Sequence, residues 1–277
     1  IKGQMTFSST DFYELYKVEK DQKALLILFP GMGGNAENIR ASFDVLEAAE
    51  KNQVSVLLLN FTNLLFLDEE QKLNLTERVN QIIAKEKLNT DHVCIGGFSS
   101  GGLMSVLWSD YLIESKSNID VQKVFLVDSP LDLVQLYTIV TDVDENSHDM
   151  SKREADYLIG YFQERLPQEG NLLDHIAKVS PYLEDGKNFE NIKNLKNLDF
   201  RIYTEPDSAW WKENRGSEYK ESNAFLLENF KGAADAAGWK NVELIKTKDK
   251  GYRANGDRHP HSWSIVDSHE LMLWIGE

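Results

Sequence analysis

The stretch Val93-Cys94-Ile95-Gly96-Gly97-Phe98-Ser99-Ser100-Gly101-Gly102-Leu103-Met104 decides how this chain is read. Three apolar residues lead into glycines, then Ser99, then glycines again, and an apolar run from Leu103 to Trp108 follows. That is the order of a strand, a tight turn and a buried helix. Within it, Gly97-Phe98-Ser99-Ser100-Gly101 has the spacing G-x-S-x-G. A strand that turns abruptly into a helix brings its own backbone together two residues either side of the apex, where a β-carbon crowds. The apex residue is forced to an unusual φ/ψ that holds its side chain clear of the core. The five residues alone would serve equally as a Gly-rich turn, so the flanking chain has to decide between the two.

Outward from that stretch, strand and helix patterns alternate. Tyr13 to Val18 alternates apolar and polar residues, as a half-buried antiparallel strand does. Ala24 to Phe29, Val54 to Asn60, Val93 to Phe98 and Val124 to Val127 are short apolar runs that read as strands covered on both faces. Helical patterns run over Glu37 to Ala49, Leu75 to Ile83 and Ser100 to Leu112. From Leu131 to about Asn197 no strand is evident, only helical segments such as Ser151 to Arg165 and Leu172 to Val179. Strands resume at Phe200 to Thr204 and Val242 to Thr247, with a helix near Asn223 to Ala237 between them and another from Ser264 to Ile275 at the end. The expectation is an α/β fold: one mostly parallel sheet of about eight strands with helices on both faces. The chain is expected to be a single domain over 1–277, with 131–197 a helical insertion over the sheet.

Composition narrows the partners. A chain of 277 residues with 42% hydrophobic residues has enough apolar material for a substantial core. Its formal charge of −15 argues against nucleic acid or an anionic membrane surface, both of which need a basic face. No apolar run is long enough to span a bilayer. The chain starts at Ile1, which suggests that a leading segment was removed and leaves secreted, periplasmic and cytoplasmic locations all open. The single cysteine, Cys94, excludes an internal disulfide and reads as a small core residue. Asp142-Val143-Asp144-Glu145-Asn146 begins like a calcium loop, but Ser147 and Arg153 stand where glycine and a bidentate carboxylate are needed, so it reads as a solvated loop. No His, Cys, Asp or Glu spacing suggests a metal site, and no cofactor is implied.

A serine hydroxyl is a poor nucleophile unless a base takes its proton, and the base needs a carboxylate to orient it. Carboxylates and a histidine do follow later strand ends. Glu205-Pro206-Asp207 comes after the strand ending at Thr204, and His261-Ser262-Trp263 comes after the polar loop from Lys248 to Pro260. In this ordered combination of turn, strand–helix alternation, helical insertion, acid and histidine, the chain resembles the α/β-hydrolase superfamily, and a serine esterase within it, over nearly its full length.

The resemblance implies that Ser99 is the nucleophile, His261 the general base and Asp207 the acid, with Glu205 the alternative acid. It also implies an oxyanion hole from the N–H groups of Ser100 and, in the loop Phe29-Pro30-Gly31-Met32-Gly33-Gly34, of Met32. Pro30 stands where the family commonly has histidine, which removes one source of support for that loop. Phe98, Trp210 and Trp263 lie beside these residues and serve either as a substrate wall or as packing; Trp211 adjoins them. Arg253 and Arg258, in the loop before His261, either face an anionic substrate group or balance nearby carboxylates. The expected activity is hydrolysis of a small-molecule carboxylic ester through an acyl-enzyme. An amidase or thioesterase using the same residues, or a hydrolase-fold binding protein, is the alternative. Oligomeric state is not legible.

Overall fold

In the computed structural model, which describes residues 5–143 and 148–277, eight strands form one sheet. They are β1 (Met5–Ser9), β2 (Tyr13–Val18), β3 (Ala24–Phe29), β4 (Val54–Leu59), β5 (Val93–Phe98), β6 (Val121–Val127), β7 (Asp199–Thr204) and β8 (Val242–Lys246). Their order is β1-β2-β4-β3-β5-β6-β7-β8. The two pairs made by β2 are antiparallel, and every pairing from β4 to β8 is parallel. β3, a continuous apolar run, and β4, apolar but for Ser55, are buried at every residue, as strands covered on both faces must be. β1, an exposed edge strand with the sequence Met-Thr-Phe-Ser-Ser, carries too weak an alternation to have been expected.

Helices cover both faces. On one side lie α1 (Ala36–Ser42), α2 (Leu46–Lys51) and the C-terminal α10 (Ser268–Gly276), which bury Ile39, Ala48, Ala49, Leu271 and Ile275 against the sheet. On the other lie α3 (Glu69–Glu86), α4 (Ser100–Glu114) and α9 (Asn223–Ala236), whose Leu75, Val79, Leu103, Trp108, Leu227 and Phe230 join the larger core. Between β6 and β7 come α5 (Leu133–Thr141), α6 (Asp149–Arg165) and α7 (Leu172–Val179), and α8 (Ser208–Arg215) follows β7. The acidic residues 144–147 of the loop read as solvated lie outside the described residues. Cys94 is buried, and burial pushes its thiol pKa well above the usual range, which suits a core residue. No helix among the described residues is long and apolar enough to cross a membrane.

Three helices depart from expectation for local reasons. The helical pattern over 37–49 is broken in two at Phe43, which turns to extended φ/ψ and stacks its ring on Trp263 with centroids 5.0 Å apart. α3 starts six residues early because Asp68 and Gln71 form a reciprocal capping box. The last helix starts late: Asp267 caps α10 through the His269 and Glu270 N–H groups, leaving residues 263–265 as a short 3₁₀ turn.

This topology determines where chemistry can sit. β3 lies between β4 and β5, so the connections leaving β3 and β5 run to opposite sides and leave a crevice beyond the carboxyl ends of those strands. The Pro30–Gly34 loop leaves β3 there, and Ser99 leaves β5 beside it.

Candidate active site

Ser99 holds the strained conformation that the spacing predicts, with φ 54° and ψ −123° at the junction of β5 and α4. A β-carbon at Gly97 would collide with the Gly101 carbonyl, and one at Gly101 with the Pro30 and Phe29 carbonyls, so this close approach of backbones needs glycine at both positions. The turn is held by Ser99 N–H donating to the Val127 carbonyl (2.9 Å) and Gly102 N–H donating to the Ser99 carbonyl (3.0 Å).

Ser99 and His261 line one cavity of about 240 Å³, together with Ser100 and Met32. Its walls are largely apolar and come from α5 and α6, through Leu136, Ile139, Val140 and Leu158. The N–H groups of Met32 and Ser100 have no hydrogen-bond partner among the described residues. The loop that carries Met32 gains its support from the segment after β4. Thr62 Oγ1 donates to the Gly31 carbonyl (2.9 Å), and Asn63 Oδ1 accepts from Gly33 N–H (3.1 Å). Asn60 Oδ1 accepts from the Ala36 N–H (2.8 Å). Pro30 therefore leaves the loop braced by other residues.

The carboxylate at the histidine is Asp128. His261 Nδ1 lies 2.7 Å from Asp128 Oδ2, and Thr204 Oγ1 donates to Asp128 Oδ1 at 2.6 Å. A carboxylate can only accept, so Nδ1 is the donor here, and in the neutral ring the lone pair lies on Nε2. Asp128 ends β6 with φ 49°, a left-handed turn that aspartate tolerates. Its backbone is tied down by Asp128 N–H to the Tyr203 carbonyl (2.8 Å) and by Asn223 Nδ2 to its own carbonyl (2.8 Å). Asp128 is buried, with its side chain 5% exposed.

Asp207 is not brought to His261. Its Oδ1 caps α8 by accepting from Trp210 N–H (3.0 Å), and its Oδ2 pairs with Arg258 (2.6 Å), so both oxygens are engaged. Glu205 is equally committed: its buried carboxylate accepts from Thr247 Oγ1 and from the Lys250 and Gly251 N–H groups, and it pairs with Arg258 at 2.5 Å. Arg258 thus balances carboxylates, as one of the two readings expected. The physical reason for the change of acid is strand order. β6 neighbours β5, whereas β7 lies one strand further from the serine, about 4.8 Å more. The missed signal was Asp128-Ser129-Pro130, a carboxylate ending a buried strand.

The aromatic residues divide. Phe98 packs on the His261 ring, centroids 4.4 Å apart, and with Trp263 lines a second cavity of about 340 Å³ that also touches His261. Trp263 is buried against Phe43 and Phe98. Trp210 packs on His259 (4.4 Å) and lines neither cavity, whereas Trp211 lines the serine cavity. His259 is buried, and among the described residues neither ring nitrogen has a hydrogen-bond partner. Its pKa is pushed down to about 3 by burial first, then by Arg253, His261 and Arg215. Among the described residues no three His, Cys, Asp or Glu side chains gather as metal ligands would.

The fold and the strained serine turn define the α/β-hydrolase fold, and solved structures agree. Carboxyl esterase 2 from the fungus Tuber melanosporum matches with TM-score 0.60 at 13% identity, over 99% of this chain and 84% of that one. The fluorophosphonate-binding serine hydrolase F of Staphylococcus aureus matches with TM-score 0.56 at 14% identity, over 99% and 100%. A hormone-sensitive lipase from a metagenome library matches with TM-score 0.54 at 12% identity, over 99% and 84%. At the level of sequence, no family model matches the chain and no curated protein is detectably similar.

Proposed function

We propose that the protein is a serine hydrolase that cleaves carboxylic esters through an acyl-enzyme, with Ser99 the nucleophile, His261 the base and Asp128 the acid. One observation carries this reading: a serine held at strained φ/ψ shares a cavity with a histidine whose Nδ1 is committed to a buried carboxylate. Ser99 Oγ attacks the ester carbonyl while His261 Nε2 takes its proton, and Asp128 stabilises the imidazolium that results. Met32 and Ser100 N–H groups receive the developing oxyanion; one such donor is worth about 3 kcal/mol of barrier. His261 then returns the proton to the leaving oxygen, and water, activated the same way, releases the acid and regenerates Ser99.

The apolar walls from α5 and α6 suit an acyl chain, and we assign residues 131–197, which supply them, as a cap over the site. The esterase and serine-hydrolase neighbours support the same reading at the level of the fold. The test is turnover of p-nitrophenyl butyrate by wild type and by Ser99→Ala. The reading requires hydrolysis that disappears in the variant. Hydrolysis unchanged by the substitution, or none at all from folded wild type, overturns it.

A further inference from the structure

His261 lines two cavities. The first holds Ser99 and the apolar walls. The second also touches the histidine and is lined by Phe98, Tyr252, Arg253 and Asn255. Given the proposed roles of Ser99 and His261, on which this inference rests, the leaving group must touch the histidine that protonates it, and the second cavity touches it too.

Each cavity is lined by a guanidinium group. Arg215 lines the serine cavity with its side chain 11% exposed, and its one ion pair, at 3.1 Å, is with Glu154, itself 63% exposed. Arg253 lines the second cavity, and among the described residues its side chain has neither ion pair nor hydrogen bond. In a chain of net charge −15 an arginine without a carboxylate partner among the described residues is conspicuous. Among the described residues, the carboxylates that act on Arg253 are Glu154 and Asp257. The first contacts Arg215, and the second accepts from Asn255 Nδ2 (2.7 Å). Arg253 is exposed as a residue, yet its head is partly desolvated and feels Arg215. Desolvation and then that repulsion lower its pKa. Burial pushes the pKa of the nearby His259 down, so this ring adds no further positive charge to the pair. A guanidinium that lines a cavity, is repelled by a second arginine and has no ion pair among the described residues forms a site that an anion would stabilise.

We propose that Arg253 binds an anionic group, carboxylate or phosphate, on the leaving-group side of the ester. The substrates are then esters of an alcohol or phenol that carries a negative charge, with an apolar acyl chain in the first cavity. Arg258, the neighbouring arginine of the same loop, has no such role, because Glu205 and Asp207 already hold it.

The test compares 4-(butyryloxy)benzoate with the neutral 4-(butyryloxy)benzamide, each kcat/KM divided by that ester's rate with hydroxide. Wild type should favour the anionic ester roughly five- to tenfold at low salt, with the preference shrinking as salt screens it. Arg253→Gln should bring the ratio to about one, and Arg253→Glu should turn the preference toward 3-(trimethylammonio)phenyl butyrate. 4-Nitrophenyl hydrogen succinate, which puts the charge on the acyl side, should gain nothing over p-nitrophenyl butyrate. Equal rates for the neutral and anionic esters, a preference that survives Arg253→Gln, or a preference confined to the succinate would overturn the proposal while leaving the hydrolase reading intact. A parallel measurement needs no turnover: tryptophan fluorescence should report 4-hydroxybenzoate binding more tightly than 4-hydroxybenzamide, with the difference lost in Arg253→Gln. No difference there overturns the anion site even if the protein hydrolyses nothing.

Discussion

Asp128→Asn separates the acid seen at His261 from the one that sequence order suggested. The carboxylate is buried, sits 2.7 Å from His261 Nδ1, and is the only group bonded to that nitrogen among the described residues. Asparagine keeps the volume and the contact with Thr204 but removes the charge that stabilises the imidazolium. Removing one partner of a buried charged pair costs about 3–5 kcal/mol. At about 1.36 kcal/mol per decade of rate, kcat on p-nitrophenyl butyrate should fall by roughly two to four decades. KM should change little, because Asp128 does not line the serine cavity. Asp207→Asn should keep kcat within about threefold, since it disturbs only an Arg258 pair and a helix cap. Initial rates, with circular dichroism to show that both variants fold, decide the matter. If Asp207→Asn loses activity and Asp128→Asn retains it, the assignment is wrong.

The strain at Ser99 also has a measurable consequence. Ser99→Gly should be about 1 kcal/mol more stable than Ser99→Ala in urea unfolding, because glycine alone relaxes at φ 54°, ψ −123°. Arg258→Met should lower stability by roughly 2–4 kcal/mol, read as a drop in Tm, by leaving the buried Glu205 carboxylate without its cation. His259 titrates near 3 in the folded chain against about 6.5 unfolded, so between those values only the unfolded chain takes up its proton. Its contribution therefore erodes as pH falls through that window, by about 3 kcal/mol at pH 4. Urea midpoints at pH 7 and pH 4 should fall further for wild type than for His259→Phe.

The sheet was legible because buried parallel strands are written as mostly apolar runs, unbroken in β3 and interrupted in β4 only by the buried Ser55. The turn at Ser99 was legible because glycines are required where backbone meets backbone. What sequence order does not carry is which strand end lies beside which. Asp128 and Asp207 are both acids after a strand, and the difference lies in β6 being the neighbour of β5 and in Arg258 occupying Asp207 from a loop 51 residues away. The helix break at Phe43 has the same origin, in a stacking partner, Trp263, far along the chain. Partners distant in sequence decided each of these points.

The central claim is that Ser99 is an activated nucleophile. Treating the wild-type protein with a fluorophosphonate, digesting it and mapping the adduct by mass spectrometry addresses that claim directly. A single phosphonyl group on the peptide containing Ser99, absent from Ser99→Ala and slowed strongly in Asp128→Asn, is the predicted result. No adduct on folded wild-type protein, or an adduct on another residue that persists in Ser99→Ala, would contradict it.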